Sequence, residues 1–120
     1  MRVKAVRGAI QLEVDTKDTF ERAVTQLIHD LLAENGITED SVISIIFSQT
    51  GDLTAENPAR ALRHSGFSDT PLFCTQEPQY PGSLPRMLRV LLTFETDADG
   101  PVVPVYLGGA RALRPDLYGT

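Results

Sequence analysis

Arginine is the residue type in this chain best suited to chemistry: of eleven basic side chains nine are arginine, and only Lys4 and Lys17 are lysine. A guanidinium stays protonated and presents a planar fork of donors, which suits capture of a carboxylate by two parallel hydrogen bonds. The arginines are spread over separate stretches. Arg7 stands near the start, Arg60 and Arg63 share one segment, Arg89 interrupts the apolar sequence MLRVLLTF, and Arg114 lies in the last stretch. Surface arginines are mostly just solvated, so it is position rather than number that informs. A charge in the middle of a strand is either on the solvent face or paired, and Glu77, in the preceding loop, and Tyr106, in the last strand, can share the site of Arg89. A cluster of arginines, one carboxylate and one phenol would hold a small dianion that carries a hydroxyl.

The usual catalytic constellations are missing. His29 falls among apolar residues and His64 at the end of a short segment, and neither adjoins Cys74 in sequence, so a Cys/His nucleophilic pair would have to be made by the fold. Cys74 reads better as buried filler or a weak hydrogen-bonding group. HExxH, paired cysteines and a phosphate-cradling glycine loop are all absent, and the pair Gly108 and Gly109 is too short to count. Neither a metal nor a nucleotide is expected, and no cofactor.

The elements that must position these residues can be read from periodicity. Residues 3 to 12 alternate imperfectly and predict a first strand. Asp15 or Thr16 can cap a helix in which Phe20, Val24, Leu27, Ile28, Leu31 and Leu32 recur at three- and four-residue spacing, ending at Gly36. Val42 to Phe47 is a short apolar run that predicts a buried strand. Asn57, Pro58 and Gly66 cap, start and end a two-turn helix with Arg60 and Arg63 on one side. A short strand is possible at Leu72 to Cys74. The sequence TQEPQYPGSLPR that follows, with three prolines and a glycine, predicts an irregular, stiff loop. Met87 to Thr96 reads as a central strand and Val102 to Leu107 as the last, with Pro104 marking an edge or a bulge. Residues from about 115 to 120 read as a loosely held tail with one helical turn. Three or four strands, one long helix and one short one make an α+β domain with a mixed sheet. So few elements cover one sheet face only, and an oligomer is expected.

At 120 residues, 42% hydrophobic and 22% charged, the chain fits one folded domain over its whole length, 1–120. A formal charge of −5 argues against nucleic acid, which needs a basic footprint. No run is long enough for a membrane span, and Lys4, Arg7 and Gln11 break the opening stretch too often for a signal peptide. A single cysteine suits a reducing compartment, and the cytoplasm is expected.

Four blocks, VRGAI at 6 to 10, DLTAENPARALR at 52 to 63, CTQEPQYPGSLPRMLRVLLTFET at 74 to 96 and VYLGGARALRPDL at 105 to 117, give the chain a resemblance to the small, monofunctional, trimeric bacterial chorismate mutases. It covers nearly the whole length, and the order and spacing of the blocks are more specific than any one of them. The resemblance implies a pseudo-barrel homotrimer with sites in clefts between subunits, and rearrangement of chorismate to prephenate without cofactor or metal. By position it implies that Arg7 and Tyr106 hold a substrate carboxylate and that Arg89 reaches the breaking ether oxygen. Glu77 and the backbone around Cys74 would hold the ring hydroxyl, so that Arg89, Arg7 and Glu77 carry catalysis. Phe73, Thr75 and Gln76 fall in the same binding segment, Arg60 and Arg63 at the cleft mouth, and Leu113 and Arg114 in a tail that folds over the ligand. Asn57 and Arg60 depart from the aromatic residue and the lysine frequent in that family, which bears on the shape of the entrance. Two other readings carry different chemistry: a non-catalytic module that senses a carboxylate metabolite, and a small imine or enamine deaminase.

Overall fold

The computed structural model describes residues 1–118; the last two positions of the expected tail, 119 and 120, lie outside the described residues. Five strands form one mixed sheet in the order β3-β2-β4-β1-β5, rather than the three or four expected. They are β1 (Arg2–Gln11), β2 (Val42–Gln49), β3 (Leu72–Gln76), β4 (Met87–Thr96) and β5 (Val105–Leu107). Strand β4 is central and runs antiparallel to both β1 and β2, while β3 and β5 add in parallel at the two edges.

Helix α1 (Lys17–Glu34) begins where the Thr16 hydroxyl accepts a hydrogen bond from the Thr19 N–H at 3.2 Å, a capping arrangement that satisfies a donor left free at the helix start. Its buried stripe, Phe20, Ala23, Val24, Leu27, Ile28 and Leu31, follows the helical period and lies against one face of the sheet. Each large side chain there contributes roughly 1.5–3 kcal/mol by leaving water. Gly8 lets α1 and β5 approach together. A Cβ on it would lie 3.0 Å from Leu31 Cδ1 and 3.1 Å from the Val105 carbonyl oxygen. Asn35 ends the helix and ties it to the last strand, its amide donating to the Leu31 and Val103 carbonyls at 2.8 and 3.0 Å and accepting from the Val103 N–H at 2.7 Å.

That contact explains why the last strand is shorter than the apolar pattern of Val102 to Leu107 predicts. Pro101 and Pro104 have no N–H to give, and the N–H of Val103 goes to Asn35, so ladder pairing starts only at Val105. Helix α2 (Pro58–His64) starts as expected, Asn57 accepting from the Arg60 N–H at 3.0 Å with Pro58 in the first turn, and Gly66 follows it at φ +114°. Its Ala61 and Leu62 join the core beneath α1. The tail forms one turn of helix, α3 (Pro115–Tyr118).

Helices α1 and α2 both pack on one sheet face; the last stretch covers only the β5 end of the other and leaves the rest open. Val3, Ile46, Phe73 and Leu91 are 64%, 41%, 66% and 38% exposed on it.

Asp15 holds the β1–α1 connection against the segment that leads into α2, accepting from the Thr54 N–H and hydroxyl, each at 3.0 Å, and from the Ala55 N–H at 3.1 Å. The Thr54 N–H chiefly, with the Ala55 N–H and the Thr54 hydroxyl adding to it, lowers the Asp15 pKa against the opposing effect of desolvation. A carboxyl depressed in the folded state stabilises fully above its ordinary value and loses that contribution as pH falls through the folded value. Asp15→Asn is expected to lower the melting temperature at pH 7 and to lower it less at pH 3; thermal unfolding at the two pH values checks this, and an equal shift at both would refute it.

Candidate active site

The register of the sheet sets five side chains in one row across all five strands. Thr75 on β3 pairs with Ser48 on β2, Ser48 with Arg89 on β4, Arg89 with Ala9 on β1, and Ala9 with Tyr106 on β5. Because side chains alternate faces along a strand, all five point to the open face, over a width of roughly 19 Å at ~4.8 Å per strand. The next row on that face runs from Phe73 through Ile46 and Leu91 to Arg7. Arg7 is therefore a diagonal neighbour of Arg89 and shares its side of the sheet. Ala9, 1% exposed, is the small residue between Arg89 and the Tyr106 ring.

Glu77 reaches this row from just past β3. Its N–H donates to the Gln49 carbonyl at 2.7 Å, extending the β2–β3 pairing by one residue. Its Oε1 accepts from the Ser48 hydroxyl at 3.0 Å and lies 3.2 Å from Arg89 Nε. That Nε is buried yet makes no hydrogen bond, so the contact with Glu77 is an ion pair out of line with the N–H direction. Both side chains stay partly solvated, 43% exposed for Arg89 and 21% for Glu77, which leaves room for a ligand to reach them.

The chain around the site is held firmly. Arg86, the residue before β4, has φ +50°, a left-handed conformation that costs a non-glycine residue about 1–3 kcal/mol. Asp52 accepts from its N–H with both carboxylate oxygens, at 3.2 and 3.0 Å, and its Nε donates to the Leu12 carbonyl at 2.8 Å. The Met87 N–H in turn donates to the buried Thr50 hydroxyl at 3.0 Å. These bonds fix where β4 begins, two residues before Arg89.

Tyr106 is only 6% exposed because the last stretch covers it. Its N–H donates to the Tyr118 hydroxyl at 2.9 Å, and the two rings meet edge to face with centroids 6.5 Å apart. The Arg114 guanidinium lies 5.6 Å from the Tyr106 centroid and forks onto Asp116, Nε to Oδ1 at 3.1 Å and Nη2 to Oδ2 at 2.9 Å. This fork, and then a hydrogen bond with Tyr106, raises the Arg114 pKa further, while Arg114 lowers that of Asp116. Leu113 packs beneath, against Ala9, Met87, Tyr106 and Ala110.

The remaining expected residues stand elsewhere within one chain. Cys74 and Gln76 point to the helix side of β3, opposite to Phe73 and Thr75, and Cys74 Sγ lies 3.5 Å from the capping Asn57 Oδ1. Arg60 is mostly exposed and 3.8 Å from Glu56, whose N–H bond from Asn57 chiefly, with Arg60 in support, lowers its pKa. Arg63 donates to the Phe67 carbonyl at 3.2 Å. A single chain thus brings Arg89, Glu77, Arg7, Tyr106, Thr75, Phe73, Leu113 and Arg114 to one side of the sheet and leaves Arg60, Arg63, Cys74 and Gln76 on the other. The cavity beside Glu77, Arg89, Tyr80, Met87 and Leu113 measures about 70 Å³, well below the several hundred typical of ligand pockets. Ser48 and Tyr118 were missed by sequence reasoning. For Ser48 a signal existed, a hydroxyl two residues beyond Ile46 on the face opposite to the buried Ile45 and Phe47.

The sheet thus gathers guanidinium groups, a carboxylate and a phenol on one face, a set of donors and acceptors suited to an enzyme that takes a small dianion. The chorismate mutase type I family model matches residues 3–117. The chorismate mutase AroH of Thermus thermophilus is 42% identical over 117 residues, spanning 96% of this chain and 96% of that protein. The one of Bacillus subtilis is 35% identical over 119 residues, spanning 98% and 94%. Among solved structures a chorismate mutase from Clostridium thermocellum superposes with a TM-score of 0.86 at 39% identity, over 91% of this chain and 98% of that one. The chain belongs to the chorismate mutase type I family, and its activity is the isomerisation for which that family is named.

Proposed function

We propose that the chain rearranges chorismate to prephenate by electrostatic preorganisation alone, with Arg89, Arg7 and Glu77 as the catalytic groups and with sites completed between the subunits of a homotrimer. The observation that carries this reading is the row that sets Arg89 between Glu77 and Tyr106. In the reaction one carbon–oxygen bond breaks as one carbon–carbon bond forms in a cyclic transition state, and no proton moves. The protein has to select the compact diaxial conformer and stabilise negative charge that grows on the ether oxygen. Arg89, always protonated, meets that oxygen and a carboxylate with its fork, and Arg7 and Tyr106 hold a carboxylate. Glu77 orients the ring hydroxyl and complements positive charge on the ring. Leu113 and Arg114 cover the ligand. Donors held in place before the reaction need little reorganisation as charge develops.

Two observations support the homotrimer. The cavity beside Glu77 and Arg89 encloses only about 70 Å³ within one chain, and Arg60, Arg63 and Cys74 face away from Arg89 and so fit the opposite wall of a neighbour's cleft. The uncovered sheet face exposes Val3, Ile46, Phe73 and Leu91 together, an apolar surface that a stable chain would bury against its copies. The cytoplasm is the proposed compartment; among the described residues no helix is long and apolar enough to cross a membrane.

The test is to mix purified protein with chorismate and follow the loss of its absorbance, with prephenate identified by acid conversion to phenylpyruvate. Catalytic turnover is expected. Binding without turnover would replace this reading by the sensor, and ammonia released from an imine by the deaminase.

A further inference from the structure

We propose that Ser48 is a positioning residue for the reaction, one that holds Glu77 so that its carboxylate and the Arg89 guanidinium remain available to substrate instead of closing on each other. The inference rests on the chorismate mutase reading above. Glu77 Oε1 has two neighbours, the Ser48 hydroxyl at 3.0 Å and Arg89 Nε at 3.2 Å, and only the first is aligned as a hydrogen bond. Ser48 is the cross-strand partner of Arg89 on one side and of Thr75 on the other, so its hydroxyl rises between Glu77, just past the end of β3, and the strand that carries Arg89.

A free carboxylate beside a guanidinium turns to the side-on, two-bond arrangement, the strongest geometry open to the pair. Here such closure would consume the donors that Arg89 offers to the ether oxygen and the acceptors that Glu77 offers to the ring hydroxyl. The Ser48 bond anchors Oε1 off the N–H axis of Arg89, which keeps Oε2 and the rest of the fork unengaged. Nothing in the strand pairing calls for a hydroxyl there. The β2–β3 and β2–β4 ladders are made by backbone, and Ile46 occupies the equivalent position one row away.

The experiment compares Ser48→Ala and Ser48→Thr, each alone and combined with Glu77→Gln. Chorismate turnover is read at high enzyme concentration, so that low residual rates are measured, and thermal unfolding is followed in parallel. Loss of a hydrogen bond to a charged group predicts that Ser48→Ala lowers kcat/KM roughly tenfold to a hundredfold. The loss falls mainly on kcat, because the groups withdrawn act in the transition state. Ser48→Thr restores most of the rate, since it keeps the hydroxyl. In the Glu77→Gln background Ser48→Ala adds little, because the two changes remove one interaction. Unchanged kcat/KM in Ser48→Ala, or an equal loss in both backgrounds, would overturn the role of Ser48 while leaving the enzyme a chorismate mutase. An unmodified chain that does not turn over chorismate would remove the underlying reading as well.

Discussion

Arg89→Lys lowers chorismate turnover on the order of 100- to 1,000-fold, the usual effect of losing one preorganised donor from an electrostatic site. Lysine keeps the charge, but it is a point donor on a flexible stem and cannot meet an ether oxygen and a carboxylate together. The fold withstands the change because the side chain sits on the open face, 43% exposed, while the β4 residues that build the core, Leu88, Val90, Leu92 and Phe94, are untouched. Steady-state kinetics with thermal unfolding as the control decides the matter: near-normal turnover in a folded variant would sink the role given to Arg89.

Leu91→Asp should have the other large effect, through assembly rather than chemistry. Leu91 is 38% exposed between Ile46 and Arg7, at the centre of the face proposed to meet neighbouring copies. Taking a carboxylate out of water there costs several kcal/mol, which pairing with the cross-strand Arg7 repays only in part, enough to weaken association about a thousandfold. The variant is expected to run as a monomer in light scattering and to lose activity in proportion, because its site then has only one wall. An active monomer would show that one chain suffices and would end the inter-subunit reading.

How much was legible beforehand depends on whether the signal was local. The bounds of β4, the N-cap of α2 at Asn57 and the capping by Thr16 came from periodicity and capping chemistry, which act over a few residues. The extent of β5 did not, since an apolar run predicts a strand from Val102 whereas Asn35, far away in sequence, claims the N–H of Val103. Asp15 likewise looked like a cap for α1 and instead serves Thr54 and Ala55. The site was legible as residue types through Arg7, Glu77, Arg89 and Tyr106, and their assignment to roles came from resemblance. That they share a face is a matter of strand register, which no single segment encodes. The division of Phe73 and Thr75 from Cys74 and Gln76 follows from alternation along β3, a strand for which only Leu72 to Cys74 had been marked.

The five-strand row also has a consequence for how the chain is made. Its two ends meet there, Ala9 beside Tyr106, because β5 pairs with β1 in parallel. As the chain leaves the ribosome at about 5–20 residues per second, the outer edge of β1 waits on the order of ten seconds for its partner, with its N–H and C=O groups unmatched. Translation must therefore pass Leu107 before Tyr106 joins the row, so a stalled or truncated nascent chain displays a sticky edge beside an incomplete site.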